Sequence, residues 1–67
     1  MQRLLTLTEV MERLTLGRTA IYKMIRAGKF PAPLKIGERA SRWPADVVEN
    51  WLQDRAREAG HEINRAA

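Results

Sequence analysis

Residues 7–26 read LTEVMERLTLGRTAIYKMIR, a stretch that predicts two short helices with a three-residue break between them. Val10, Met11 and Leu14 fall on one side of a helix with 3.6 residues per turn, so we expect a first helix over residues 7–14. Two short helices joined by such a turn form a helix-turn-helix.

The start of the first helix has a signal of its own. Thr6 and Glu9 have the spacing of a capping box, in which each side chain accepts a hydrogen bond from the other residue's backbone N–H. Leu5 and Val10 occupy the two positions of a hydrophobic staple. The first helix is therefore expected to begin directly after Thr6.

The second helix is predicted to be apolar on one side and basic on the other. Ile21, Met24 and Ile25 share its inner face, and Gly28 follows as the left-handed residue that ends it. Gly17 precedes the helix as a permissive but weak N-cap. The residues expected on the outer side are Arg18, Thr19, Tyr22, Lys23 and Arg26.

Residues 29–43, KFPAPLKIGERASRW, cannot form a helix, because two prolines lack an N–H and favour extended neighbours. Alternating residues on either side of a Gly-Glu turn predict a short two-stranded hairpin. A lone hairpin is marginally stable in water, so it is expected to lean on the helices. The residues expected to make that contact are Phe30, Leu34, Ile36 and Trp43. The cations expected on the other face and at the tip are Lys35, Arg39 and Arg42.

A third helix is predicted to start with Pro44 at its first position and to end at Gly60. Its apolar stripe comprises Val47, Val48, Trp51 and Leu52. The expected fold is mainly α, a winged helix-turn-helix of three helices with a two-stranded β-hairpin as the wing. Residues 1–60 would form this domain, and residues 61–67 a frayed tail.

The composition of the 67 residues argues against an enzyme, a metal site or a cofactor site. The chain has no cysteine, and its one histidine, His61, has no partner. No Gly-rich pattern that would cradle a phosphate is present. The apolar run near the N-terminus is too short for a signal peptide, and no segment approaches membrane-spanning length. We therefore expect a cytoplasmic protein that does not bind a membrane.

The net charge of +4 is unevenly distributed. Residues 17–42 contain seven basic residues and one acid, whereas residues 43–67 have an excess of acids. Such asymmetry is typical of a face that binds a polyanion. Two alternatives remain at this point, a merely solvated basic surface and an adaptor domain that binds an acidic protein. Tyr22 could likewise be a half-buried core aromatic.

In a helix-turn-helix, the second helix enters the DNA major groove and its first residues reach the base edges. Arg18 and Thr19 hold those positions, and both residue types can pair with bases. Tyr22, Lys23 and Arg26 follow one and two turns later, where they could bond phosphates. The hairpin cations Lys35, Arg39 and Arg42 could reach a minor groove or the flanking backbone.

Residues 4–52 resemble the AlpA-type phage regulators, a branch of the MerR-like winged-helix superfamily that also holds small excisionases. The resemblance rests on the run AIYKMIRAGKFPAPLKIG, on a tryptophan that closes the wing and on the WL pair in the last helix. Thr15 stands where the family often has a turn glycine, and Gly17 where it often has serine. The change at residue 15 disfavours a left-handed residue there.

The resemblance implies a small DNA-binding factor of a mobile element without catalytic chemistry. Such a factor would regulate integrase genes, or would act as an excisionase that bends DNA and directs the integrase toward excision. It implies several copies on repeated sites, with an integrase as a possible partner. The same likeness assigns Arg18 through Arg26 to a recognition helix, and Arg39 and Arg42 to the wing.

Overall fold

A computed structural model describes residues 3–60 of the protein. Its elements in chain order are β1 (Leu4–Leu5), α1 (Leu7–Leu14), α2 (Arg18–Arg26), β2 (Leu34–Gly37), β3 (Ala40–Pro44) and α3 (Ala45–Glu58). The predicted tail and His61 lie outside the described residues. Across residues 3–60, every helix is too short or too polar to span a lipid bilayer.

The predicted capping box at the start of α1 is confirmed. The backbone N–H of Glu9 donates to the Thr6 hydroxyl at 3.1 Å, and the backbone N–H of Thr6 donates to the Glu9 carboxylate at 2.9 Å. Leu5 and Val10, the two staple residues, are both buried in the core. Local side-chain chemistry thus sets both the first residue of α1 and the side that it buries.

Both α1 and α2 are followed by a residue in the left-handed conformation, of which only the one after α2 was predicted. Gly28 follows α2 with φ 73°, as predicted, and Lys29 N–H bonds back to the Met24 oxygen at 2.8 Å. Thr15 follows α1 with φ 58°, so the expectation against a left-handed residue there was wrong. The backbone N–H of Leu16 bonds to the Met11 oxygen at 3.1 Å, which holds the turn despite the β-branched side chain.

The sheet has three strands in the order β1-β3-β2, so the prediction of two strands in a mainly α fold was incomplete. All pairs are antiparallel; β1 adds Leu4 opposite Pro44 and Leu5 opposite Trp43. The N–H of Ala45 continues this pairing with a 2.7 Å bond to the Arg3 oxygen. A two-residue strand is too short to show alternation, which is why the sequence pattern did not reveal it. Pro44 also differs from expectation, since it ends β3 and precedes α3.

The hairpin packs on the helices through fewer residues than expected. Phe30 and Trp43 are buried, but Leu34 and Ile36 are 50% and 55% exposed, so their assignment to the core was wrong. Leu34 lies opposite Arg42, next to Trp43 on β3, and therefore faces away from the core side of Trp43. As the outer strand of the sheet, β2 pairs only with β3, and all four of its residues are exposed.

The core is small and centred on Trp43. The side chains buried in it are Leu5, Val10, Ile21, Phe30, Trp43 and Val48. The Trp43 indole N–H donates to the Pro31 oxygen at 2.9 Å, so this polar group is satisfied inside the core. The Arg13 guanidinium forms two 2.7 Å bonds to the Glu49 carboxylate and joins α1 to α3. These bonds raise the pKa of Arg13.

Candidate nucleic-acid interface

The outer face of α2 is exposed as its sequence predicts. Ile21 is fully buried, and the five outer residues named above are all exposed. Tyr22 is 36% exposed and lies one turn from both Arg18 and Arg26, so these three form one row along the helix. Thr19 and Lys23 form the neighbouring row. The helix therefore presents three cations, a hydroxyl and a phenol to solvent.

The N-terminus of α2 has features that favour an anion. Its N-cap, Gly17, supplies no side-chain hydrogen bond, and its first turn contains no acid. The first backbone N–H groups and the positive end of the helix dipole are thus left for an external acceptor, next to the Arg18 side chain. A β-carbon at Gly17 would meet no atom within 4 Å, so no steric contact requires the glycine.

The hairpin distributes its cations differently from the expectation. Lys35 lies opposite Ser41, on the same face as Trp43, whereas Arg42 lies opposite Leu34 on the other face. Their placement on one shared face was therefore wrong. Arg39 lies in the turn at the tip and is exposed, as is Lys35. Arg42 is half-buried, and one of its N–H groups donates to the Ser41 oxygen at 2.9 Å.

Within residues 3–60, four ion pairs form, and none involves a cation of residues 17–42. The arginines that form them are Arg3, Arg13, Arg55 and Arg57. Every cation of the central basic segment therefore lacks an acidic partner in the described part of the chain. Since paired charges cancel at a distance and unpaired ones do not, the positive potential concentrates around α2 and the hairpin.

The sequence misassigned two exposed residues of this region. The exposed apolar residues Leu34 and Ile36 were assigned to the core, because alternation cannot tell which face of a hairpin is buried. The weak N-cap at Gly17, by contrast, was predicted from its lack of a side chain, and α2 starts there without a side-chain cap. In the described residues, no cluster of three or more histidine, cysteine or acidic side chains could hold a metal ion.

Comparison with known proteins places this arrangement in a family. The family described as "Prophage CP4-57 regulatory protein (AlpA)" matches residues 3–56, which include every helix and strand up to most of α3. An excisionase from Streptomyces ambofaciens is 45% identical over 56 residues, covering 84% of this chain and 87% of the excisionase.

A second relative is the uncharacterized protein ORF88 of Enterobacteria phage P4. It is 35% identical over 54 residues, which cover 81% of this chain and 61% of ORF88. No solved structure gives a significant match. Because the family match spans the helix pair, the sheet and most of the last helix, the chain belongs to the AlpA family of prophage regulatory proteins.

Proposed function

We propose that this chain binds double-stranded DNA in a sequence-specific way and serves a phage or other mobile element as an excisionase, a transcriptional regulator or both. It would act by binding and not by catalysis. The observation that carries the proposal is the charge arrangement, in which all cations of residues 17–42 are unpaired within the described chain while arginines elsewhere are paired. Membership of the AlpA family and the similarity to an excisionase support it.

In this proposal α2 enters the major groove with its N-terminus leading. Arg18 would pair with a guanine edge, and Thr19 would hydrogen-bond a base or contact a thymine methyl. The free N–H groups at the start of α2 suit a phosphate oxygen. Tyr22, Lys23 and Arg26 would bond phosphates farther along the helix and hold its orientation.

The β2–β3 hairpin would act as a wing beside the helix pair. Its cations, Lys35, Arg39 and Arg42, would reach the adjacent minor groove or the backbone that flanks it. One domain of this size reads few base pairs, so neighbouring copies or a partner integrase would add the remaining specificity. The proposed partners are therefore duplex DNA first, then a second copy or an integrase on the same DNA.

The experiment is selection of bound fragments from a random duplex pool, followed by titration of the selected duplex and a scrambled one. We expect an enriched motif, tighter binding of that duplex, and affinity that falls steeply between 50 and 200 mM salt, as counterion release requires (about 10³-fold or more for six contacts). The adaptor alternative predicts no enriched motif and only weak binding to any duplex, and that result would overturn the proposal.

A matching assay separates the two proposed roles. The selected site would be tested for repression of a reporter promoter, and an attachment site for excision by the element's integrase. Stimulated excision would assign the excisionase role, and repression alone the regulatory role.

A further inference from the structure

The hairpin register places two cations on opposite faces of one ribbon. Lys35 is paired across the strands with Ser41, and Leu34 with Arg42. Cross-strand partners share a face, and consecutive residues alternate. Lys35 therefore lies on the face of Trp43, and Arg42 on the reverse face. Both lack an acidic partner within residues 3–60.

We propose that the hairpin sits across a DNA minor groove, with Lys35 and Arg42 bound to phosphates of opposite strands. This inference rests on the proposed DNA-binding function and goes beyond it by assigning a strand to each residue. A ribbon lying flat along one backbone would use the cation of one face and point the other into solvent. A ribbon across a groove uses both, because a phosphate backbone runs along each side.

Dimensions decide how far the ribbon enters. A sheet with its side chains is about 10 Å thick, whereas the minor groove is about 6 Å wide. The body of the hairpin is thus too thick to lie inside the groove. Only the turn at residues 38–39 can enter, and it holds the exposed Arg39. The negative potential of a narrow minor groove attracts such a guanidinium, while the cations on the two faces remain at the level of the backbones.

The exposed aliphatic residues fit the same placement. Leu34 and Ile36 are the two most exposed large apolar side chains of the described chain, and both are on β2. With its body outside the groove, the hairpin would hold this apolar strand, flanked by cations, against the sugar C–H groups of the backbone, which lie between charged phosphates. Docking there would cover apolar surface that the free protein leaves in water.

The test uses the selected duplex with single phosphates replaced, one at a time, by neutral methylphosphonates on each strand beside the wing. We expect the parent to lose affinity at one or more positions on both strands. In Lys35→Gln, replacing phosphates of one strand should no longer reduce affinity, while the other strand stays sensitive. Arg42→Gln should show the same loss of sensitivity on the other strand only. Each change should also reduce the slope of log Kobs against log salt by about 0.9, and the double variant by about 1.8.

Two further variants keep the test decisive. Lys29→Gln makes the same charge change in the loop before the hairpin and should retain sensitivity on both strands. Arg42 is half-buried and bonded to the Ser41 oxygen, so its loss could also disturb the hairpin. Arg42→Lys keeps the charge and should restore sensitivity to phosphate replacement on the strand where Arg42→Gln lost it, which separates the effect of charge from that of folding. Loss of the same strand by both glutamine variants would overturn the proposal, as would unchanged sensitivity in both. A parent that selects no duplex would instead refute the proposed function.

Discussion

The indole N–H of Trp51 on α3 donates a 2.7 Å hydrogen bond to the main-chain oxygen of Lys29, in the loop between α2 and β2. Beside this bond, the Phe30 ring meets the Trp51 ring edge-on, with centroids 4.9 Å apart. The Arg55 guanidinium lies over the same indole at 5.5 Å from its centroid. Trp51 of α3 thus holds in place the loop that joins α2 to the hairpin.

Replacing Trp51 by alanine is expected to destabilise the domain by about 2–4 kcal/mol, because a large aromatic side chain leaves a gap that the neighbours fill poorly. Trp51→Phe keeps the ring contact and loses the hydrogen bond, so it should cost about 1 kcal/mol. Urea unfolding followed by far-ultraviolet circular dichroism measures both. Val47→Ala, at an exposed position of the same helix, is the control. An alanine variant with the parent's midpoint would show that Trp51 contributes no packing.

Thr15→Gly should stabilise the protein by about 1 kcal/mol, since glycine adopts the left-handed conformation without the steric cost that threonine carries. The turn hydrogen bonds at this position run through the backbone and survive the change. Thermal unfolding of the glycine variant against Thr15→Ala tests the idea, because alanine retains a β-carbon and should gain little. Equal melting temperatures for glycine and alanine would contradict it.

The capping box makes part of the stability pH-dependent. The backbone N–H of Thr6 is the largest cause that lowers the pKa of Glu9 below its ordinary value of 4.5. Desolvation opposes this shift, and Arg3, which forms an ion pair with Glu9, lowers the pKa further. Because the folded pKa is the lower one, this stabilisation is present above the unfolded pKa. It is lost as the pH falls through the folded pKa.

Glu9→Gln should therefore melt below the parent at neutral pH, and the difference should shrink as the pH falls from about 5 to about 3. Melting temperatures of both proteins across this range measure the effect. Glu12→Gln, an exposed change on the same helix, is the control. A gap between parent and Glu9→Gln that stays constant down to the acid limit would rule out the carboxylate as its source.

Arg18→Ala is expected to weaken binding to the selected duplex by about 1–3 kcal/mol, and binding to scrambled DNA much less, because a bidentate pair to guanine is lost. Fluorescence anisotropy titrations of both duplexes at one salt concentration give the comparison. Arg57→Ala removes the same charge from α3 and should leave the ratio of the two affinities unchanged. Equal losses on both duplexes would show that Arg18 contacts phosphate and reads no base.

How much of the fold the sequence could predict depends on how far apart in the chain the interacting residues are. The limits of α1 and the inner face of α2 follow from contacts between residues three to five apart, and both were predicted. The exposed outer row of α2 follows by the same periodicity. Thr15 marks the limit of local reasoning, because its own preference is overridden by the turn that packs α1 against α2.

The sequence by itself determined the helix pair, the capping box and the concentration of cations in one segment, since these depend on local spacing and on composition. Only the tertiary structure decided that Leu5 pairs with Trp43 and that Leu34 lies opposite Arg42. Leu5 and Trp43 are far apart in the chain, and within the hairpin a register shift of one residue would move every side chain to the other face. That register, and not the alternation itself, leaves Leu34 exposed and separates Lys35 from Arg42.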